Sequence, residues 1–207
     1  MVLANSNRLK NILPLIITEH QSAFTKDRLI SDNILLAFES LHCMQNHMLV
    51  KDNFMTLKLD NKKAYEWVEW KFLESIMEKM RFTERWINLL MLCITTVSYS
   101  IIDNSEPKCF IKLTKGITQG DSLSPFLFLL CTEGLNGLIS QATSQGDIYS
   151  FSFSRRSPSL THLLFADDNL FFCRSTTEEC QKVLDVFGVY ESSSGQQINR
   201  SITTFLF

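Results

Sequence analysis

Apolar positions along this chain follow two periods, and the points where one gives way to the other mark its elements. Residues 9–17 read as a short helix limited by Pro14. Beyond it, Ser31 or Asp32 can cap a helix in which Ile34, Leu35, Phe38 and Leu41 are spaced for one buried face. Residues 54–59, FMTLKL, alternate loosely and predict a strand ending at Asp60. A helix is expected from about residue 63 to 80, because Tyr65, Val68, Phe72, Ile76 and Met80 recur at steps of three and four. Thr83 can cap the next helix, with Trp86, Leu89, Leu90 and Cys93 inward.

Residues 98–102 and 108–113 read as a hairpin around Asp103, Asn104 and Ser105. A polar turn, GITQGDSLSP, follows. Ser124 ahead of Pro125 predicts a helix start, since proline is tolerated in the first helical turn, and FLFLLC carries that helix to about residue 140. Residues 141–159 are polar and Ser-rich, the pattern of a hairpin or loop. Two short apolar strands then flank Asp167 and Asp168. Thr176 and Glu179 form a capping-box pattern for a last helix through Val183, Leu184 and Phe187, which Gly195 can end. Residues 197–207 read as a further strand. The sum is an α+β fold in which strands ending in carboxylates are backed by long amphipathic helices.

Composition narrows the reading modestly. The 207 residues suffice for one good core, and 45% hydrophobic with 20% charged is ordinary for a globular domain. A formal net charge of −2 counts mildly against a free-standing nucleic-acid binder, which is usually basic. Local basic patches remain, at Lys108, Lys112 and Lys115 and at Arg155 with Arg156. The six cysteines form no CxxC pair, sit mostly in apolar runs, and favour a reducing, intracellular setting over a zinc cluster. ILPLII is too short and broken for a signal peptide, and the run at 126–131 is too short to cross a membrane.

The chemistry centres on LLFADDNLFF. Two adjacent carboxylates among apolar residues are costly to place without a partner, and the usual partner is a metal cation. Asp167 and Asp168 would lie at the turn of a tight hairpin, as metal ligands or as a plain Asp-rich turn. Asp60 is a helix N-cap on one reading and a third carboxylate of the same site on the other. Three carboxylates at strand ends on one sheet edge can hold two Mg²⁺ ions, which keep waters and bind substrate phosphates.

LKLDNKKAYEWVEW, GITQGDSLSP and LLFADD, in this order and spacing, resemble a reverse transcriptase palm. NRLKNILPLII, QSAFTKDRLISDNILLAFE, RWINLLMLCITTVSYS and SGQQIN look like the LINE-type (non-LTR) retrotransposon enzymes of plants. The resemblance implies the fingers and palm of a right-hand polymerase without its thumb. Residues 1–53 would be fingers-like and 54–207 mainly palm, with 81–115 returning to the fingers/palm edge. It implies that Asp60, Asp167 and Asp168 hold two Mg²⁺ ions, with Mn²⁺ as a substitute. Tyr65 matches the aromatic that closes against the sugar 2′ position, Gln119 and Gly120 match the turn lining the template–nucleotide pocket, and Arg28 matches the arginine that contacts the triphosphate. The implied reaction is attack of a DNA primer 3′-hydroxyl on the α-phosphate of a dNTP, copied from an RNA template. The implied setting is nuclear, with no targeting signal, no membrane partner and no indication of oligomeric state.

Several positions depart from the family pattern. Glu66 replaces an Asp, Thr118 replaces the Arg before Gln-Gly, Ser122 replaces a Pro, and Lys26-Asp27 replaces the Pro-Gly before Arg28. Family glycines are replaced at Arg81, Ser105 and Cys109, and each loss removes an easy positive φ. With the endonuclease, thumb and part of the palm missing, the expectation is a remnant with the carboxylate triad intact and little or no polymerase activity. The alternatives are a catalytically dead nucleic-acid-binding module, a decayed transposon copy, and a different palm enzyme such as a nucleotidyl cyclase.

Overall fold

The computed structural model describes residues 2–45, 54–154 and 157–199, together with the backbone of residues 204–206. The basic pair Arg155–Arg156 lies outside the described residues. Six helices and two sheets are built from these segments: α1 Val2–Ile16, α2 Ile30–Gln45, β1 Phe54–Lys62, α3 Trp70–Lys79, α4 Glu84–Thr95, β2 Ser98–Asp103, β3 Glu106–Lys112, α5 Ser124–Ser144, β4 His162–Phe165, β5 Asp168–Arg174, α6 Thr177–Ser194, β6 Gln197–Ile198 and β7 Thr204–Leu206.

The main sheet runs β4-β5-β1-β6, with β7 also on β1. All its ladders are antiparallel. Alternation on β1 sends Met55, Leu57 and Leu59 into a core shared with α5 and α6, and leaves Lys58 and Asp60 on the opposite face. α5 is the central helix, since residues 126 to 132 are all buried. One side of it closes the sheet core, and the other meets α1, α3 and α4 in a second core. A helix apolar all round is what two facing layers require.

Four expectations change in the structure. α1 begins at Val2 and runs through Pro14, because a proline near the end of a helix interrupts few bonds and Ser6 is drawn inward to Ser122 O at 2.8 Å. The stripe on α2 is not a buried face: Ile34, Leu35 and Phe38 are 60%, 61% and 64% exposed. The helix predicted from residue 63 starts at Trp70 instead. Lys63 is left-handed (φ 49), and the backbone of 65–69 bonds to Gly116, Ile117 and Ser194 rather than along a helix. Finally, α5 extends to Ser144, past the expected end near residue 140.

Other expectations hold. The β2–β3 hairpin turns on Asn104 and Ser105, both left-handed (φ 51 and 67), as a two-residue type I′ loop requires. Thr176 caps α6 by accepting from Glu179 N at 3.3 Å, and Gly195 ends it at φ 75. Glu179 completes only half of the capping box, because its carboxylate accepts from Tyr149 N at 2.7 Å.

Candidate active site

Pairing of β1 with β5 brings the carboxylates together. Asp60 and Asp168 are the last register partners of that ladder, and Asp167 occupies the two-residue turn between β4 and β5. The turn is tight: Ala166 is left-handed (φ 53), and its N–H donates to the buried Gln21 Oε1 at 3.3 Å. Asp167 O accepts from Asn61 N at 3.3 Å and from Asn169 Nδ2 at 3.2 Å, which fixes the turn to both strands.

Electrostatics follow from this crowding. Partial burial pushes the Asp60 carboxyl up from its ordinary value, and repulsion from Asp167 and Asp168 adds to the rise. Lys58 and a hydrogen bond from Asn199 pull it back. Lys58, on the same face two residues before Asp60, places Nζ 3.3 Å from Asp168 Oδ1. Tyr65 stacks on Phe128 with ring centroids 4.9 Å apart, and its hydroxyl is pushed up first by burial and then by Asp167. Tyr65 thus packs against α5 and feels the charge of Asp167.

The Gln-Gly turn reaches the same loop. Tyr65 O accepts from Ile117 N at 2.9 Å, and Thr118 O then accepts from Asp121 N at 3.3 Å, closing a turn with Gly120 at φ 90. Gln119 and Gly120 are exposed on that turn. Thr118 is not free to replace the missing arginine, since its hydroxyl bonds the Tyr99 hydroxyl of β2.

Arg28 lies on the loop that joins α1 to α2. Its guanidinium donates to Ile17 O at 2.8 Å, to Gln21 O at 2.6 Å and to Thr18 O, so it ties together the turn that follows α1. Its near neighbour is Glu133 of α5, whose carboxyl is raised by burial and lowered by Thr18, Asn136 and Arg28. That network holds the 17–28 loop against α5.

Two participants were not singled out by sequence. Lys58 could have been found by alternation, because it shares a strand face with Asp60. Asn199 lies in the SGQQIN block, and its backbone N–H also donates to Asp60 O at 2.8 Å. No sequence period points to that contact.

The carboxylate oxygens fit a hard cation such as Mg²⁺. They repel one another, Asp167 and Asp168 are exposed, and Lys58 already answers one of them. No cage of three or more acidic, His or Cys side chains is formed among the described residues. Mg²⁺ is usually held by one or two carboxylates plus waters and substrate phosphates, so a partial cage suits it.

Residues 4–206 match the family described as reverse transcriptase (RNA-dependent DNA polymerase). This chain belongs to the reverse transcriptase family. Among curated relatives of this reverse transcriptase domain, an uncharacterized mitochondrial protein of Arabidopsis thaliana is 48% identical over 67 residues, covering 32% of this chain and 55% of that protein. An uncharacterized 149 kDa protein of the Xenopus laevis transposon TX1 is 25% identical over 211 residues. That alignment takes in 96% of this chain but only 14% of the transposon protein. Among solved structures, telomerase from Candida albicans in complex with a fragment of telomeric RNA superposes with a TM-score of 0.71 at 13% identity, over 100% of this chain and 34% of that one. Apo telomerase from Candida tropicalis, truncated of its C-terminal domain, gives 0.66 at 14% identity, over 99% of this chain and 39% of that one. These likenesses establish the right-hand polymerase fold. No helix among the described residues is long and apolar enough to cross a membrane.

Proposed function

We propose that this domain is the fingers–palm part of an RNA-directed DNA polymerase from a LINE-type retrotransposon of plant kind, and that its polymerase activity is strongly reduced. The observation that carries the reading is the convergence of Asp60, Asp167 and Asp168 beside Tyr65 at one end of the β1–β5 ladder. Residues 1–53 would act as fingers and 54–207 mainly as palm, with 81–115 at their edge. Asp60 and Asp167 are the ligands for Mg²⁺, or Mn²⁺ in its place, and Asp168 adds charge beside them. The cation pair would neutralise the attacking and leaving oxygens of an in-line phosphoryl transfer. Tyr65, stacked on Phe128, presents a rigid ring where a ribose 2′-hydroxyl would collide. Gln119 and Gly120 line the base pair between RNA template and incoming dNTP, and the DNA primer end lies toward Asp60.

Reduced activity is supported by three local facts. Arg28 spends its donors on carbonyls, Thr118 stands where the family has an arginine, and Lys58 engages Asp168. Each weakens the grip on a triphosphate or the pull on a cation. The competing reading, a catalytically dead module that still binds nucleic acid, rests on the same facts. Primer extension on an RNA template with Mg²⁺ or Mn²⁺ separates them. Trace incorporation that disappears in Asp167→Ala is expected. Robust incorporation lost in that variant would overturn the reduced-activity claim. Primer–template binding with no incorporation under either cation would favour the binding module.

A further inference from the structure

Two ammonium groups gather at Trp67: Lys62 Nζ and Lys115 Nζ each lie 5.9 Å from its ring centroid. Both lysines are exposed and the indole is half-buried. Lys62 ends β1 two residues beyond Asp60 and on the same strand face, about 7 Å along the strand. Lys115 sits one residue before the Gly116 close approach. Two elements far apart in sequence therefore bring their cations to one ring beside the carboxylates.

The platform is fixed in advance. Gly116 N donates to Val68 O at 2.8 Å, and Trp70 Nε1 donates to Gly116 O at 2.7 Å. Glu69 N donates to Ser194 O at 2.8 Å, closing the loop from the other side. The approach is close enough that a Cβ on Gly116 would stand 2.4 Å from Glu66 O, and one on Gly195 would stand 2.6 Å from Trp67 O. A ring held this way loses little freedom when something stacks on it.

We propose that Lys62, Trp67 and Lys115 form a docking patch for an unpaired polynucleotide strand at the margin of the carboxylate site. A base stacks on the indole, and flanking phosphates take the two ammonium groups. Stacking on an aromatic face tolerates any base, and lysines supply sequence-independent phosphate contacts. Lys62 makes no ion pair among the described residues, so it can meet a phosphate directly. Lys115 is 3.4 Å from Glu69 Oε1, an exposed pair of the weak kind that a phosphate can displace. The proposal rests on the polynucleotide reading above and names where on the surface a strand would lie.

The test is binding of fluorescein-labelled oligouridylate and oligothymidylate over a salt series, with tryptophan quenching read in parallel. Trp67→Ala should weaken binding about tenfold or more, while Trp67→Phe, which keeps a stacking face, should recover part of the loss. Lys62→Ala with Lys115→Ala should flatten the log–log salt slope by roughly 1.4, about 0.7 for each single-strand phosphate lost. Quenching should come from Trp67 and vanish in Trp67→Phe. If wild-type protein binds neither oligomer, the polynucleotide reading falls together with the patch. If wild type binds and both the Phe and the double-lysine variants bind with unchanged affinity and slope, the patch alone is overturned. These two variants keep the outcome decisive should the Ala substitution unfold the loop.

Discussion

Lys58 and Asp168 are ion-paired at 3.3 Å across the two strands that carry the carboxylates. The pair is half-exposed, so it adds little stability, about 0.5 kcal/mol at most. Its effect is electrostatic and local. Lys58 draws the Asp60 carboxyl down against the pull of burial and of Asp167 and Asp168. Lys58→Met should therefore raise the Asp60 titration midpoint further, measured by carboxyl carbon NMR. The same variant should bind Mn²⁺ more tightly at neutral pH, measured by electron paramagnetic resonance, with thermal stability almost unchanged.

The turn that carries Asp167 depends on Gln21. Its Oε1 accepts from Ala166 N and from Ala23 N, and its side chain is fully buried. Gln21→Leu leaves both N–H groups without that partner, at a cost of about 2 kcal/mol in urea unfolding. Mn²⁺ binding should weaken in parallel, because the left-handed Ala166 is no longer braced.

Backbone strain sits where the family's glycines are missing. Asp27, Arg81, Ser105 and Cys109 all have positive φ, at 63°, 62°, 67° and 57°. Cys109 is also the unpaired residue of the bulge opposite Ser100 and Ile101. Arg81→Gly and Cys109→Gly should each stabilise by about 1 kcal/mol, with a smaller gain at Asp27, since Asp tolerates the left-handed region. Calorimetric melting of the single and combined variants checks this. Two native glycines give opposite controls. Gly116→Ala meets Glu66 O and should destabilise by several kcal/mol, because both φ and space forbid it. Gly137→Ala, exposed on α5 with nothing within 4 Å of its added carbon, should stabilise by about 0.5–1 kcal/mol.

Acid should weaken the fold through His162. Burial, then neighbouring His20, pushes its imidazole down to about 3. The two rings lie 4.5 Å apart, and His162 also stacks on Phe171. The folded state holds His162 neutral while the unfolded chain protonates near pH 6.5. Stability from this residue is complete above about pH 6.5 and is lost as pH falls toward 3. At pH 5 the loss is about 2 kcal/mol. Urea unfolding at pH 7.5 and 5.0 should show it, and His162→Gln should remove most of the difference.

Much of the site was legible because it depends on short, local patterns. FMTLKLD and LLFADDNLFF announce three strands and their carboxylates, and antiparallel pairing does the rest. The Ser124–Pro125 start and the Gly195 stop are likewise local chemistry. The α2 stripe misled because a helical period says which residues share a face, and not whether another element covers it. The 63–69 segment misled because its backbone partners, Gly116 and Ser194, are distant in sequence. Arg28 resembles a phosphate contact by motif, and only tertiary structure reveals the three carbonyls it serves.

β1 has a consequence for how the chain is made. One edge of it pairs with β5, and the other with β6 and β7, so its ladder is complete only when Thr204–Leu206 arrive. The ribosome emits the strand FMTLKL and then spends on the order of ten seconds on the residues between Lys62 and Thr204. Both edges of an apolar strand stand open until β5 is made, and one edge stays open longer, which is a template for self-association. Soluble yield in a cell should therefore respond to chaperone supply and growth temperature more than to the stability of the finished fold.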